Sequence, residues 1–256
     1  MNKNFNKVFA KAKSENRSCF VAFVTGIDPD YESSKKILIE LAKSCDVIEV
    51  GVSFNTSTSD SSIIMSANDR AIKSGATTEK IFQLIKEAKM EITSDTAFVT
   101  MGYLNQIHVY GIDRYIKDCK KSGVDGCIVV DSNNESPEDE QIFKGLTKND
   151  IAFIKLIAPT NDSAYIKQSL KKCSSWVYIV SYAGVTGSKD VNLENVKRLS
   201  KMIRKESKIP IGVGFGIKTQ YDVKRVSKLA DLVVCGSAIV NKIKEGSQNG
   251  LSNHDL

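Results

Sequence analysis

Residues 45–51 read CDVIEVG, and the chain continues as VSFNTSTSDSS to residue 62. The first run is short, almost wholly apolar and closed by Gly51, as expected of a parallel strand covered on both faces. Runs of the same kind recur on either side: FVAFVTG (20–26), TAFVTMG (96–102), GCIVVD (126–131), AFIKLIAP (152–159), WVYIVSY (176–182), PIGVGFG (210–216) and DLVVCGS (231–237), making eight in all. Between them lie stretches such as YESSKKILIELAKSC, TEKIFQLIKEAK, IDRYIKDCKKSG and NLENVKRLSKMIRKES, with apolar residues at helical spacing. Ser136 before Pro137 predicts a helix start, and Thr219 with Asp222 a capping box.

Eight strands alternating with helices predict a (β/α)8 barrel or an open doubly wound sheet. A closed barrel needs roughly 250 residues, so the strand count and the 256 residues favour the TIM barrel. No linker, repeat or low-complexity segment divides the chain, so residues 1–256 are expected to form a single domain. A leading N-terminal helix around Asn4–Lys13 should cover the barrel bottom, and Gly246–Leu256 should fray.

Composition narrows the function classes. With 41% apolar and 26% charged residues, the chain has ample core and an ordinary solvated surface. The net charge of +6 comes from Lys scattered over helix-like segments, beside one Trp. A nucleic-acid binder would cluster its basic residues and interleave aromatics. No apolar run has membrane-spanning or signal-peptide length. The six cysteines form no CxxC pair, so neither a disulfide framework nor a zinc site is expected. These features predict a cytoplasmic protein.

The active site of such a barrel lies at the C-terminal strand ends. Glu49 stands there in an apolar strand, sharing a face with Val47 and Gly51, and points either into the barrel mouth or among the helices. A buried carboxylate is costly unless paired or neutralised. The bland alternative is a salt bridge to a helix Lys; the functional one is a carboxyl of raised pKa that both takes and gives protons. Asp60 has its own bland alternative, a helix cap. His108 and His254 are the only histidines and neither sits at a strand end, so acid–base work falls to carboxylates and no metal site is expected.

Glycines after strands 6, 7 and 8, in YAGVTGS (182–188), GVGFGIK (212–218) and CGSA (235–238), predict a phosphate cradle of backbone N–H groups. Gly212, Gly214 and Gly216 alternate on one strand face, which would leave room for a ligand at the mouth. The spacing is not a dinucleotide fingerprint.

Taken in order, FVAFVTGIDPD, IEVG, MGYLNQI, GVDGCIVVD, IAPTND, YIVSYAGVTGS, VGFGIKT and CGSAIV resemble the tryptophan synthase alpha subunit family almost end to end. The resemblance implies cleavage of indole-3-glycerol phosphate to indole and glyceraldehyde 3-phosphate, a retro-aldol lyase reaction without metal or cofactor. It also implies a beta-subunit partner, which carries pyridoxal phosphate. By position, Glu49 matches the acid/base and Asp60 the carboxylate that holds the indole N–H. Phe20 matches an indole-pocket aromatic, Tyr178 an active-site Tyr and Thr186 the Thr that orients the Asp. Gly187, Gly216, Gly236 and Ser237 match the phosphate cradle.

The departures are concentrated in loops. Ser53, Phe54, Asn55, Thr56 and Ser57, then Ser61 and Ser62 beside Asp60, replace a proline-bearing stretch of the family; Thr56 replaces the acid that contacts the beta subunit. Gln106 stands at a proline position, Ser132-Asn133-Asn134 replace Leu-Pro-Pro, and Tyr182 replaces an Arg. Losing proline widens the conformational range of a loop, which predicts weaker loop closure and an altered or absent beta contact. Two other readings compete: a non-catalytic subunit that activates a beta subunit, and a related barrel acting on another phosphorylated substrate.

Overall fold

Successive side chains on a strand point to opposite faces, so each run must satisfy two environments. The computed structural model describes residues 2–55, 60–181 and 191–249. The chain opens with α1 (Lys3–Ser14), β1 (Cys19–Thr25), α2 (Tyr31–Leu41) and β2 (Val47–Gly51), followed by two helices, α3 (Ser62–Lys73) and α4 (Thr78–Glu91). Next come β3 (Ala97–Gly102), α5 (Leu104–Tyr110), α6 (Ile112–Ser122), β4 (Gly126–Val129) and α7 (Pro137–Lys148). The remainder is β5 (Ala152–Ile157), α8 (Ser163–Lys171), β6 (Val177–Val180), α9 (Leu193–Glu206), β7 (Ile211–Gly214), α10 (Gln220–Val226), β8 (Leu232–Cys235) and α11 (Ser237–Asn249). The strands pair in parallel and in chain order, with β8 returning to β1 to close the barrel. The eight expected strands and the TIM barrel are therefore present.

On β1, Cys19 and Val21 point inward and pack with Val47, Val99, Ile154, Trp176 and Val234 in the barrel interior. Ala22 and Val24 point outward, with Ile48, Val50 and Phe98, into the layer under the helices. The leading helix plugs the bottom: Phe5, Val8 and Ala12 are buried in the same cluster as the interior strand residues. Both helix-start signals hold. Ser136 accepts from Asp139 N, with Pro137 in the first turn, and Thr219 and Asp222 cap α10 reciprocally. Of the tail expected to fray, residues 246–249 belong to α11, and residues 250–256 lie outside the described residues. Among the described residues, no helix is long and apolar enough to cross a membrane.

Candidate active site

Glu49 lies on the inward face of β2, flanked by Phe23 of β1 and Val99 of β3 in the pairing register. The sequence left open which side it faces; the structure places it in the barrel mouth. It is 1% exposed, and its Oε2 has no hydrogen-bond partner. Among the described residues, no lysine forms a salt bridge with it. Burial alone pushes the carboxyl from 4.5 up to about 8, so it holds its proton at neutral pH.

Asp60 is not the helix cap. Ser61 takes that role, its Oγ accepting from Ile64 N at 3.3 Å, so Asp60 stands one residue earlier and lines the same cavity as Glu49. The buried Asn68 amide, two turns into α3, donates to Asp60 Oδ2 at 3.1 Å. Helix α3 is itself anchored: Arg70 donates from Nε and Nη2 to the two oxygens of buried Asp28, at 2.7 and 2.8 Å. At the other end, Ser61 Oγ lies 3.4 Å from Ser237 Oγ, joining the start of α3 to the start of α11.

The cavity is lined mostly by apolar side chains, as small-molecule sites usually are. Phe23, Ile64, Met101, Leu156 and Phe215 form its apolar walls, and Glu49, Asp60 and Tyr178 bring the polar groups. Gly216, Gly236 and Ser237 line another part of the wall. Ser237 opens the 13-residue α11, and the first turn of a helix presents N–H groups that have no intrahelical acceptor. Gly216 follows β7 with φ +77°, directly after Phe215 at φ +73°. This pair of left-handed residues, one of them glycine, turns the backbone across the mouth.

The space above β7 has a different tenant from the one the glycine pattern predicted. A Cβ on Gly212 would lie 2.5 Å from the Trp176 ring, and one on Gly214 would lie 2.7 Å from two Tyr178 ring carbons. Two of the three alternating glycines therefore make room for aromatic rings, and only Gly216 lines the cavity. Burial, reinforced by nearby Glu49, raises the Tyr178 hydroxyl well above its ordinary value and keeps it a neutral donor.

Of the expected site residues, Glu49, Asp60, Tyr178, Gly216, Gly236 and Ser237 converge on this cavity. Phe20 does not. It lies on the outer face of β1, packed against the cluster beneath the helices, and Phe23 supplies the ring in the mouth. The two phenylalanines of FVAF are three apart and fall on opposite faces, so strand parity could have selected Phe23. Parity would also have found Met101 and Leu156, which share inward faces with Val99 and Ile154. Thr186 and Gly187, like Tyr182, lie outside the described residues.

Polar contacts hold two of the loops that lack the family's prolines. Gln106 Nε2 donates to Ser53 O at 2.9 Å while its Oε1 accepts from Tyr103 N at 3.0 Å, stapling the base of the loop after β2 to α5. Asn133 Oδ1 accepts from Glu135 N and Ser136 N at 3.0 and 3.1 Å. Ser132 joins the buried pair of Lys155 and Asp139. At these two places side-chain hydrogen bonds hold the backbone at positions that lack proline. Thr56 and Ser57 lie outside the described residues.

Solved structures with this architecture span nearly the whole chain. Mycobacterium tuberculosis tryptophan synthase matches with a TM-score of 0.87 at 26% identity, over 96% of this chain and 93% of that one. Tryptophan synthase subunit alpha of Legionella pneumophila matches with a TM-score of 0.87 at 26% identity, over 98% and 92%. A protein of Aquifex aeolicus VF5 matches with a TM-score of 0.87 at 27% identity, over 100% and 96%. The model of the family described as tryptophan synthase alpha chain matches residues 9–255, and the chain belongs to that family.

Proposed function

We propose that this chain cleaves indole-3-glycerol phosphate to indole and glyceraldehyde 3-phosphate. One observation carries the reading. A protonated, unpartnered carboxyl at Glu49 shares an apolar cavity with Asp60 and with the glycine and serine wall at the start of α11.

In this reading the indole ring lies among Phe23, Met101, Leu156 and Phe215, and the phosphate lies against Gly216, Gly236 and Ser237. The Glu49 carboxyl gives its proton to ring carbon C3, producing the cationic indolenine. The Asp60 carboxylate faces the ring N–H, where the positive charge develops, and stabilises it. The Glu49 carboxylate then takes the proton of the glycerol hydroxyl adjacent to the ring. As the C–C bond breaks, its electron pair restores the aromatic ring and the hydroxyl carbon becomes the aldehyde. Glu49 ends protonated, so the cycle balances without a cofactor in this chain. Pyridoxal phosphate belongs to the beta partner, which we extend to this protein from the family. All six cysteines are free, in keeping with a reducing, cytoplasmic setting.

Purified chain incubated with indole-3-glycerol phosphate should release indole and glyceraldehyde 3-phosphate in equal amounts, with or without a beta subunit. Absence of both products under both conditions would sink the proposal.

A further inference from the structure

The fold gathers lysines that are scattered along the sequence. Residues 163–231 hold 14 Lys and Arg against 5 Asp and Glu, a net charge of +9, so the rest of the +6 chain carries −3. That segment supplies α8, α9 and α10, which follow β5, β6 and β7 and so stand side by side around the closed barrel. One apolar layer underlies all three, with Ile166 of α8, Leu199 and Ile203 of α9, and Val226 of α10. A bridge from Lys167 to Glu206 at 3.8 Å joins α8 to α9, and one from Arg204 to Asp231 at 2.6 Å joins α9 to the turn after α10.

Helical spacing aligns the outward charges. Lys197, Lys201, Lys205 and Lys208 recur every three or four residues along and just past α9, and all are exposed. At 1.5 Å per residue they form a row roughly 16 Å long. Lys167 and Lys171 of α8, and Lys224 and Lys228 at α10, flank that row in exposed pairs four residues apart. Among the described residues, no carboxylate forms an ion pair with any lysine of the α9 row. Elsewhere on the barrel the helix cations are matched: Lys35 meets Glu91, Arg114 meets Glu79 and Lys144 meets Glu140, each at 3.1 Å.

The make-up of this face selects its partner. Protein interfaces are depleted of Lys and built around aromatic or apolar anchors. Among the described residues, the one large hydrophobic side chain exposed on these three helices is Tyr221, and Arg225 already lies over its ring. A helix on a membrane surface dips its apolar side into lipid, and that side of α9 is buried in the barrel. Single strands are held by stacking on several aromatic rings, which one Tyr does not supply. Unpaired point charges on long stems suit a dense array of phosphates.

We propose that the outer face of α8, α9 and α10 binds the phosphate backbone of double-stranded nucleic acid without reading its sequence. The inference does not depend on the lyase reading, because none of these lysines lines the cavity that holds Glu49. Binding of this kind releases counterions, and each phosphate neutralised steepens the fall of log affinity with log salt by about 0.9. The four lysines of the α9 row would contribute about 3.6, or roughly a hundredfold between about 50 and 200 mM salt.

Fluorescence anisotropy with a labelled, mixed-sequence DNA duplex of about 30 base pairs, from about 50 to 200 mM salt, tests this. It compares the parent with a variant carrying Lys197→Gln, Lys201→Gln, Lys205→Gln and Lys208→Gln. A control of equal net charge carries Lys3→Gln, Lys36→Gln, Lys86→Gln and Lys117→Gln, at exposed positions on α1, α2, α4 and α6. Gln keeps helix propensity, and a thermal transition confirms that each variant folds. The α9 variant should lose at least about tenfold in affinity at the lowest salt and about 3 in slope, while the control stays within about threefold of the parent. No binding by the parent, or equal losses in the two variants, would overturn the inference. Tighter binding of poly-glutamate, of phosphatidylserine vesicles or of a single strand than of the duplex would also overturn it.

Discussion

A Cβ on Gly214 would lie 2.7 Å from the Cε2 and Cζ carbons of Tyr178 and closer still to its hydroxyl oxygen, so this glycine lets the ring stand in the barrel mouth. Gly214→Ala must displace the ring or shift β7, and overpacking of this kind costs about 1–3 kcal/mol. The variant should unfold at a lower temperature and lose at least about tenfold in kcat/KM. Adding Tyr178→Leu should recover melting temperature without recovering turnover. Parent-like values for Gly214→Ala in both measurements would show that the contact does not constrain the site.

Asn68 offers a test of how Asp60 is held. Its amide donates to Asp60 Oδ2 from a buried position. Asn68→Ala removes that donor and with it one restraint on how the carboxylate is turned toward the ring N–H in the proposed reaction. We expect kcat to fall about tenfold with KM little changed, because charge at the nitrogen develops only during cleavage. Asn68→Asp should be worse, since it sets a second carboxylate beside the first. A loss confined to KM would assign Asn68 to substrate binding instead.

Glu49 makes stability depend on pH, and the sign follows from its environment. Folded, the carboxyl titrates at about 8; unfolded, it returns to its ordinary 4.5. Between these values the folded chain holds a proton that the unfolded chain has lost. Its contribution to stability is therefore fully present below 4.5 and is lost as pH rises to about 8. Glu49→Gln carries no such penalty. Its melting temperature relative to the parent should climb across that window and level off above it. A difference that stays flat with pH would place the Glu49 carboxyl in a wetter setting.

Lys155 and Asp139 form a buried ion pair at 3.1 Å, each 1% exposed or less. Burial lowers the Lys155 pKa, partly offset by Asp139. Lys155→Met leaves an uncompensated carboxylate and should cost about 3–5 kcal/mol. Lys155→Met with Asp139→Leu should recover most of that loss, as denaturant midpoints would register. Equal losses in the single and double variants would mean that packing, not charge, dominates there.

The barrel was legible because eight apolar runs, each followed by a helical period, leave few ways to bury two-faced strands. Glu49 was legible because a carboxylate inside such a run demands an explanation. Other features depend on side-chain parity and on partners distant in sequence. Phe20 and Phe23 are chemically equal and differ only in the face they present. Gly212 and Gly214 read as open space, since the rings that fill it belong to the neighbouring strand. Gln106 read only as a lost proline, because the Ser53 carbonyl it holds lies 53 residues earlier.

The alkaline side of the activity profile follows from the same carboxyl. If protonated Glu49 starts the reaction, kcat/KM for indole-3-glycerol phosphate should fall as pH rises through about 8. An alkaline limb that persists unchanged in Glu49→Asp would assign it to another group.

The central claim is that Glu49 and Asp60 together carry the cleavage. The most direct measurement is steady-state indole release from indole-3-glycerol phosphate by the parent, Glu49→Gln and Asp60→Asn, each confirmed as folded by its thermal transition. Both substitutions keep shape and remove charge or proton transfer, so the account predicts release by the parent and at least about a hundredfold loss in each variant. Parent-like turnover in either variant would contradict it.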